Sequence, residues 1–309
     1  MRPFRFALQT SDAPDASTWR ERARKAEDLG YSALYIPDHF NDQLGPLVAL
    51  TVAAEATTDL RIGPLVMGND YRHPVVNAME IATLDLISGG RVEFGIGAGW
   101  MRTDYEASGI PYDEPAVRVE RLEEAVSIYK QLLREGTASL DGTHYQVDGA
   151  TCHPRPAREG GPDLLIGGGG KRVLSLAARE ADIVGVNPNL RSGATDETTA
   201  RSAVAAKYEQ RLAWIKEAAG DRFDDLDLQL LTFVVNIGGD RREMAEAMGP
   251  AMGITPEQAY DVPLALIGSV DDICEQLHER RERFGLNYIV IHDAELEPFA
   301  EVVSRLAGT

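Results

Sequence analysis

At 309 residues and 44% hydrophobic content, the chain is long enough for one large α/β barrel or for two ordinary globular domains. Its 31 Lys and Arg against 49 Asp and Glu, a formal charge of −18, argue against a nucleic-acid or anionic-membrane surface, so any anionic ligand must be held by local donors. Two cysteines without metal-ligand spacing, a run at 4–8 too short for a signal peptide, and no apolar stretch near the roughly 20 residues of a spanning helix predict a cytoplasmic protein with reduced thiols.

Residues 4–9 read as a first strand, and Ser17 can cap a helix in which Ala23, Ala26 and Leu29 recur before Gly30 stops it. A second strand, 33–36, runs into Pro37-Asp38-His39-Phe40. A small-residue helix over 46–58 precedes a third strand, 60–67, where Pro64 cannot donate to a ladder and a bulge is predicted. Residues 75–88 form a helix that Gly89-Gly90 ends. The fourth strand, 92–96, opens through Gly95, Gly97 and Gly99 onto Trp100 and an irregular polar stretch over 101–106.

A long helix over 116–133 and a short β-excursion over 142–147 come next. A strand over 164–166 then meets Gly167-Gly168-Gly169-Gly170 and a helix over 173–179. The pattern continues with a strand over 182–186, a polar stretch over 191–199, a helix over 200–219 and a strand over 227–237. A helix over 273–283, a last strand over 288–292 and a last helix over 298–306 complete the chain. Eight strands alternating with about eight helices, with extra material after strands four, six and seven, predict α/β architecture: one (β/α)8 TIM barrel with insertion segments, a single domain over 1–309. A Rossmann pair would show six strands and a break in the middle.

The GxGxG at 95–99 lacks the spacing and position of a dinucleotide fingerprint. Gly167, Gly168, Gly169 and Gly170, followed by Lys171, are better suited to an anion, because successive backbone N–H groups and a helix start converge there. Four glycines exceed what a tight strand-helix turn needs. His39, beside Asp38, stands at the C-terminal end of the second strand, the face on which barrel enzymes place catalysis. A lone histidine is more often structural, and it is the strand-end position that moves the reading toward function. His73, after the third strand, carries a weaker form of the same argument. No cluster with metal-ligand spacing and no nucleophile elbow is visible.

Taken together, several short pieces resemble the luciferase-like monooxygenase superfamily, and within it the actinobacterial branch that depends on coenzyme F-420. They are Gly30-Tyr31, Pro37-Asp38-His39-Phe40, Arg72-His73-Pro74, Ser88-Gly89-Gly90-Arg91, Gly95-Ile96-Gly97-Ala98-Gly99-Trp100, residues 166–170 and Leu266-Ile267-Gly268-Ser269, in the family's order. The resemblance implies a flavin-like ring against a third-strand bulge bearing a non-proline cis peptide, which falls on Pro64, Leu65, Val66 and Met67. It implies a cofactor phosphate on Gly167–Gly170 and Lys171, with Gly97 and Gly99 clearing space for the ring. His39 becomes the proton donor or substrate-orienting group, supported by Asp38, and Trp100, Asn69 and His73 line the substrate pocket. The family's sugar-phosphate dehydrogenases carry a catalytic glutamate where this chain has Trp100, which argues against that activity.

The function implied is an oxidoreductase that moves a hydride between reduced deazaflavin and an electron-poor C=C, C=N or C=O of a small organic substrate. The alternative is a two-component monooxygenase supplied with reduced FMN by a separate reductase. A non-catalytic barrel acting as a subunit partner is a third reading. A homodimer is implied, with neither nucleic acid nor membrane as partner. Arg72, Arg102, Arg155 and Arg172 are candidates for the cofactor's charged tail, and 191–199 with 240–261 are candidate lid segments that select the substrate.

Overall fold

The structure is a computed structural model and describes residues 2–309. In chain order it runs β1 (Arg5–Gln9), α1 (Ala16–Asp28), β2 (Ala33–Ile36), α2 (Pro46–Ala56), β3 (Arg61–Pro64), β4 (Met67–Gly68), α3 (Pro74–Ser88) and β5 (Glu93–Gly97). Then come α4 (Arg102–Ser108), α5 (Pro115–Lys130), β6 (Thr137–Asp141), β7 (Gln146–Thr151), β8 (Asp163–Gly168), α6 (Lys171–Glu180) and β9 (Ile183–Val186). The rest is α7 (Glu197–Ser202), α8 (Ala205–Ala219), β10 (Asp227–Leu231), β11 (Val234–Ile237), α9 (Arg241–Ala251), α10 (Pro256–Tyr260), β12 (Ala265–Gly268), α11 (Val270–Phe284), β13 (Leu286–His292) and α12 (Ala300–Leu306).

Two compact units make up the chain. One comprises Thr10–Glu27 and Ala33–Ile166. Its strands are parallel: β2 pairs with β3, β4 with β5, and β5 with β8. Leu34, Ile36, Ile62, Phe94, Ile96 and Leu165 are buried, as strands covered on both faces require. The helix boundaries follow local chemistry. Pro74 opens α3, the His73 ring nitrogen accepts from the Val75 N–H at 3.3 Å, and Gly89 closes the helix at φ 72°, where a side chain would be strained.

The other unit comprises 2–9, Asp28–Ser32 and Gly167–Thr309. There β13 lies between β1 and β10, and β10 also pairs with β9, all parallel. Leu8, Val184, Leu230 and Val290 are buried within it. Ser269 caps α11 reciprocally with Asp272, and Gly285 ends that helix at φ 72°.

Several predicted elements change. The strand expected over 227–237 is two, because the Phe233 N–H turns to the Leu264 carbonyl at 2.8 Å and β11 pairs with β12 instead. The third strand breaks into β3 and β4, with a cis Leu65–Val66 peptide between them. Residues 101–106, expected to be irregular, belong mostly to α4, and the β-excursion is the antiparallel hairpin β6–β7. The lid segment 240–261 holds α9 and α10.

Candidate active site

In the first unit β2 ends at Ile36 and delivers Asp38 and His39 by way of Pro37. Asp38 is buried and wholly committed. Its carboxylate accepts the Gly68 N–H at 3.1 Å and two Arg72 N–H groups at 2.6 and 3.1 Å. Burial would lower the Arg72 pKa, but Asp38 outweighs it and holds the guanidinium above its ordinary value. This bidentate pair fixes the turn after β4 rather than offering a free acid.

His39 is placed differently. Its Nδ1 lies 2.6 Å from Oδ2 of Asp104, a buried carboxylate at the start of α4. Asp104 also accepts the Phe40 N–H at 3.2 Å and the Tyr71 hydroxyl at 3.3 Å. Burial, with Tyr105 and Asp104 adding negative potential, holds the Tyr71 hydroxyl well above the ordinary phenol range, so it stays a donor. The Trp100 and His39 rings meet edge-to-face, with centroids 5.7 Å apart and planes at 90°. A carboxylate on Nδ1 fixes the tautomer and orientation of the imidazole, and Nε2 is the ring nitrogen it does not hold.

A second layer holds α4. Tyr105 donates to Asp70 at 2.9 Å, Arg121 donates to the other Asp70 oxygen at 2.7 Å, and Arg121 also donates to Asp113. Gly99 adopts φ +76°, and a Cβ there would collide with the Tyr105 hydroxyl. A Cβ on Gly95 would strike the Pro64 carbonyl and come within 3.2 Å of Val66 Cγ1, so that glycine admits the cis Leu65–Val66 segment beside β5. Met67 and Gly68 pair with Ile96 and Gly97. Asn69 is buried; its amide N–H donates to the Tyr145 hydroxyl at 3.2 Å, while its Oδ1 has no partner among the described residues. His73 is exposed and serves as the α3 cap, its ring 5.5 Å from that of Tyr145.

In the second unit β8 runs into Gly167 and Gly168, and Gly170 is the residue before α6. The Gly168 carbonyl accepts the Asn187 N–H at 2.9 Å, and the Gly169 carbonyl accepts Arg211 Nε at 3.1 Å. A Cβ on Gly168 would strike Val173, and one on Gly169 would strike the Pro188 carbonyl, so both glycines are needed for packing. Gly170 faces open space. No side chain caps the start of α6 and its first turn carries no acid, which leaves its N–H groups available to an anion. Lys171 reaches Glu217 at 3.2 Å in an exposed pair.

A family model described as luciferase-like monooxygenase matches residues 1–287. The chain belongs to that family. It is 35% identical over 162 residues to the 5,10-methylenetetrahydromethanopterin reductase of Archaeoglobus fulgidus, covering 52% of this chain and 46% of the relative. It is 33% identical over 168 residues to the F420-dependent glucose-6-phosphate dehydrogenase of Intrasporangium calvum, covering 51% and 50%. The chain thus spans about half the length of these curated relatives. The solved coenzyme F420-dependent tetrahydromethanopterin reductase of Methanopyrus kandleri superposes with a TM-score of 0.79 at 21% identity, over 99% of this chain and 98% of that one. That likeness establishes the (β/α)8 barrel fold expected from the strand-helix alternation.

For this luciferase-like chain, two of the arginines put forward for a cofactor tail are engaged elsewhere. Arg72 is bound to Asp38, and Arg155 donates to the Arg134 carbonyl at 2.7 Å. Arg102 lies over the Tyr112 ring at 4.7 Å. The residue that sequence reasoning missed is Asp104. Its signal was present, a carboxylate a few residues beyond the fourth-strand glycines, but nothing in the spacing ties it to His39. No helix of the described residues is long and apolar enough to cross a membrane.

Proposed function

We propose that the chain is a coenzyme F-420-dependent oxidoreductase acting on an electron-poor C=C, C=N or C=O of a small organic substrate. The observation that carries this reading is His39, held through Nδ1 by buried Asp104 with Nε2 left to face a reactant. One of the curated relatives is a reductase and the other an F420-dependent dehydrogenase, which supports the choice of cofactor. The residues fit such a group. The uncapped start of α6 with open Gly170 suits a phosphate, and the unpartnered Asn69 Oδ1 suits a ring N–H or a substrate donor.

When bound, the cofactor supplies the hydride. His39 Nε2 supplies the proton to the atom of the reduced bond that does not take the hydride, and in the reverse direction takes it back. Asp104 keeps the imidazole oriented. Trp100 walls the His39 ring and limits water. Pro64 to Met67 with Gly97 and Gly99 would border the ring, Gly167 to Gly170 with Lys171 would hold the phosphate, and Asn69 and His73 would meet the substrate. Trp100 in place of a glutamate supports a substrate other than a sugar phosphate.

We read residues 1–309 as one domain working in the cytosol, consistent with two buried free cysteines and a family match over 1–287. A homodimer is supported by exposed Val76, Met79, Leu86 and Ile87 on α3 and Val48 on α2. The deciding experiment follows tryptophan fluorescence while coenzyme F-420 or FMN is added to the purified protein. Saturable quenching by F-420 is expected. Tight binding of FMN alone would replace this reading with the monooxygenase that takes reduced FMN from a separate reductase.

A further inference from the structure

A cavity of about 350 Å³ lies wholly within the unit that contains residues 167–309, and neither His39 nor the glycine run belongs to its walls. It is lined by α7, by β11 and β12 with the turn before each, and by α9 with α10, and it opens to solvent. Met244 and Met248, one helical turn apart on α9, and Met252 just beyond it present flexible thioethers along one wall. Ala200, Ala203 and Ala245 leave the space that larger side chains would fill. Protein interiors are packed to crystal density with few voids larger than a water molecule, whereas ligand pockets begin at about 300 Å³. An opening of this size among alanines and methionines is built to be filled.

The charges at its border select the occupant's chemistry. Arg241 is engaged with the Tyr260 carbonyl at 2.6 and 3.0 Å. Asp196 accepts the Thr199 N–H at 3.0 Å as the cap of α7, and Glu197 is paired with Arg201 at 3.2 Å. These charges are held in local contacts and the rest of the lining is largely apolar, so an ionic head group buried against it would lack a partner, which is costly. We infer that this cavity is a binding site for a neutral, predominantly apolar small molecule, hydrocarbon or aromatic in character. The walls include parts of both candidate lid segments, 191–199 and 240–261, but the inference concerns binding of a neutral ligand alone, so failure of the hydride-transfer reading would leave it standing.

The test is a fluorescence titration of the full chain with the neutral probe N-phenyl-1-naphthylamine. Saturable, blue-shifted emission is expected from the native protein. Met248→Gln changes little volume but buries an amide, and should weaken the probe at least about tenfold. Ala245→Phe and Ala203→Leu, which fill the cavity from two different elements, should do the same, with circular dichroism confirming the fold. Val48→Gln, on the exposed apolar face of the other unit, should leave binding unchanged. No saturable binding, unchanged binding in a folded cavity variant, or loss of binding in Val48→Gln alone would each overturn the inference. So would equally tight, cavity-dependent binding of anionic 1-anilinonaphthalene-8-sulfonate.

Discussion

His39 Nδ1 and Asp104 Oδ2 lie 2.6 Å apart although 65 positions separate them in the chain. The pair joins the exit of β2 to the first turn of α4, and it converts a histidine at a strand end into an oriented one. Asp104→Asn keeps the shape but offers an amide donor to Nδ1, favouring the wrong tautomer. Turnover is expected to fall about a hundredfold, the low end of general acid effects, with cofactor affinity retained. His39→Ala, which removes the proton donor itself, should lose at least about a hundredfold in turnover and retain affinity as well. Single-turnover oxidation of reduced coenzyme F-420 measures both, and unchanged rates would return the pair to a structural role.

The glycine run separates binding from packing. At Gly169 a side chain meets the Pro188 carbonyl, so Gly169→Val should lower the melting temperature whatever the ligand. Gly170 has ordinary extended angles, φ −101° and ψ 155°, and open space around its Cβ position. Gly170→Val should therefore keep the fold and weaken cofactor binding about tenfold, near 1.4 kcal/mol. Calorimetric titration of both variants distinguishes them, and full affinity in Gly170→Val would move the phosphate away from α6.

Gly99→Ala should destabilise by about 1–3 kcal/mol, from the left-handed backbone and the Tyr105 hydroxyl together. Tyr105→Phe alone gives up the bond to Asp70. In the double variant the steric component is relieved, so the two costs should sum to more than the cost of the combination. Urea denaturation reads all three, and strict additivity would show that the contact is not shared.

Asp227 sets an acid limit on stability. Burial alone would raise its pKa, but hydrogen bonds from Arg2 and Asn287 and the charge of Arg5 outweigh it and depress the value. A carboxyl depressed in the folded state contributes fully above its unfolded value, about 3.9, and loses that contribution as pH falls through the lower folded value. The stability gap between the native chain and Asp227→Asn should be constant near neutrality and begin to shrink once pH falls below about 4. Denaturation midpoints at pH 7, 4 and 3 test this, and a gap as large at pH 3 as at pH 7 would contradict it.

Much of the site could be read from local chemistry. Pro64 announced the interrupted third strand, and Pro37-Asp38-His39 announced a strand end. Both signals lie within a few consecutive residues. Asp104 could not be read this way, because its role depends on a contact across 65 positions and α4, at seven residues, is too short to show periodicity. Arg72 looked like a surface cation for the same reason, since its partner Asp38 lies 34 positions away. The run 227–237 looked like one strand because Thr232 and Phe233 continue its hydrophobicity. Only the change of partner, from Val290 for Thr232 to Leu264 for Phe233, divides it. The four-residue β12 and the charged α9 gave no comparable pattern.

Arg121 grips Asp70 and Asp113 together, and Tyr105 shares Asp70 with it, so the helix bearing Asp104 is moored by side chains rather than by a sheet. The histidine rides on rigid strand architecture while its carboxylate rides on an adjustable mount. Selection can thus retune the imidazole by editing residues 70, 105, 113 or 121, none of which bonds it directly, without disturbing the strand that carries it. Divergence in reactivity among sequences of this kind should accordingly be sought in the moorings of α4 before it is sought at position 39.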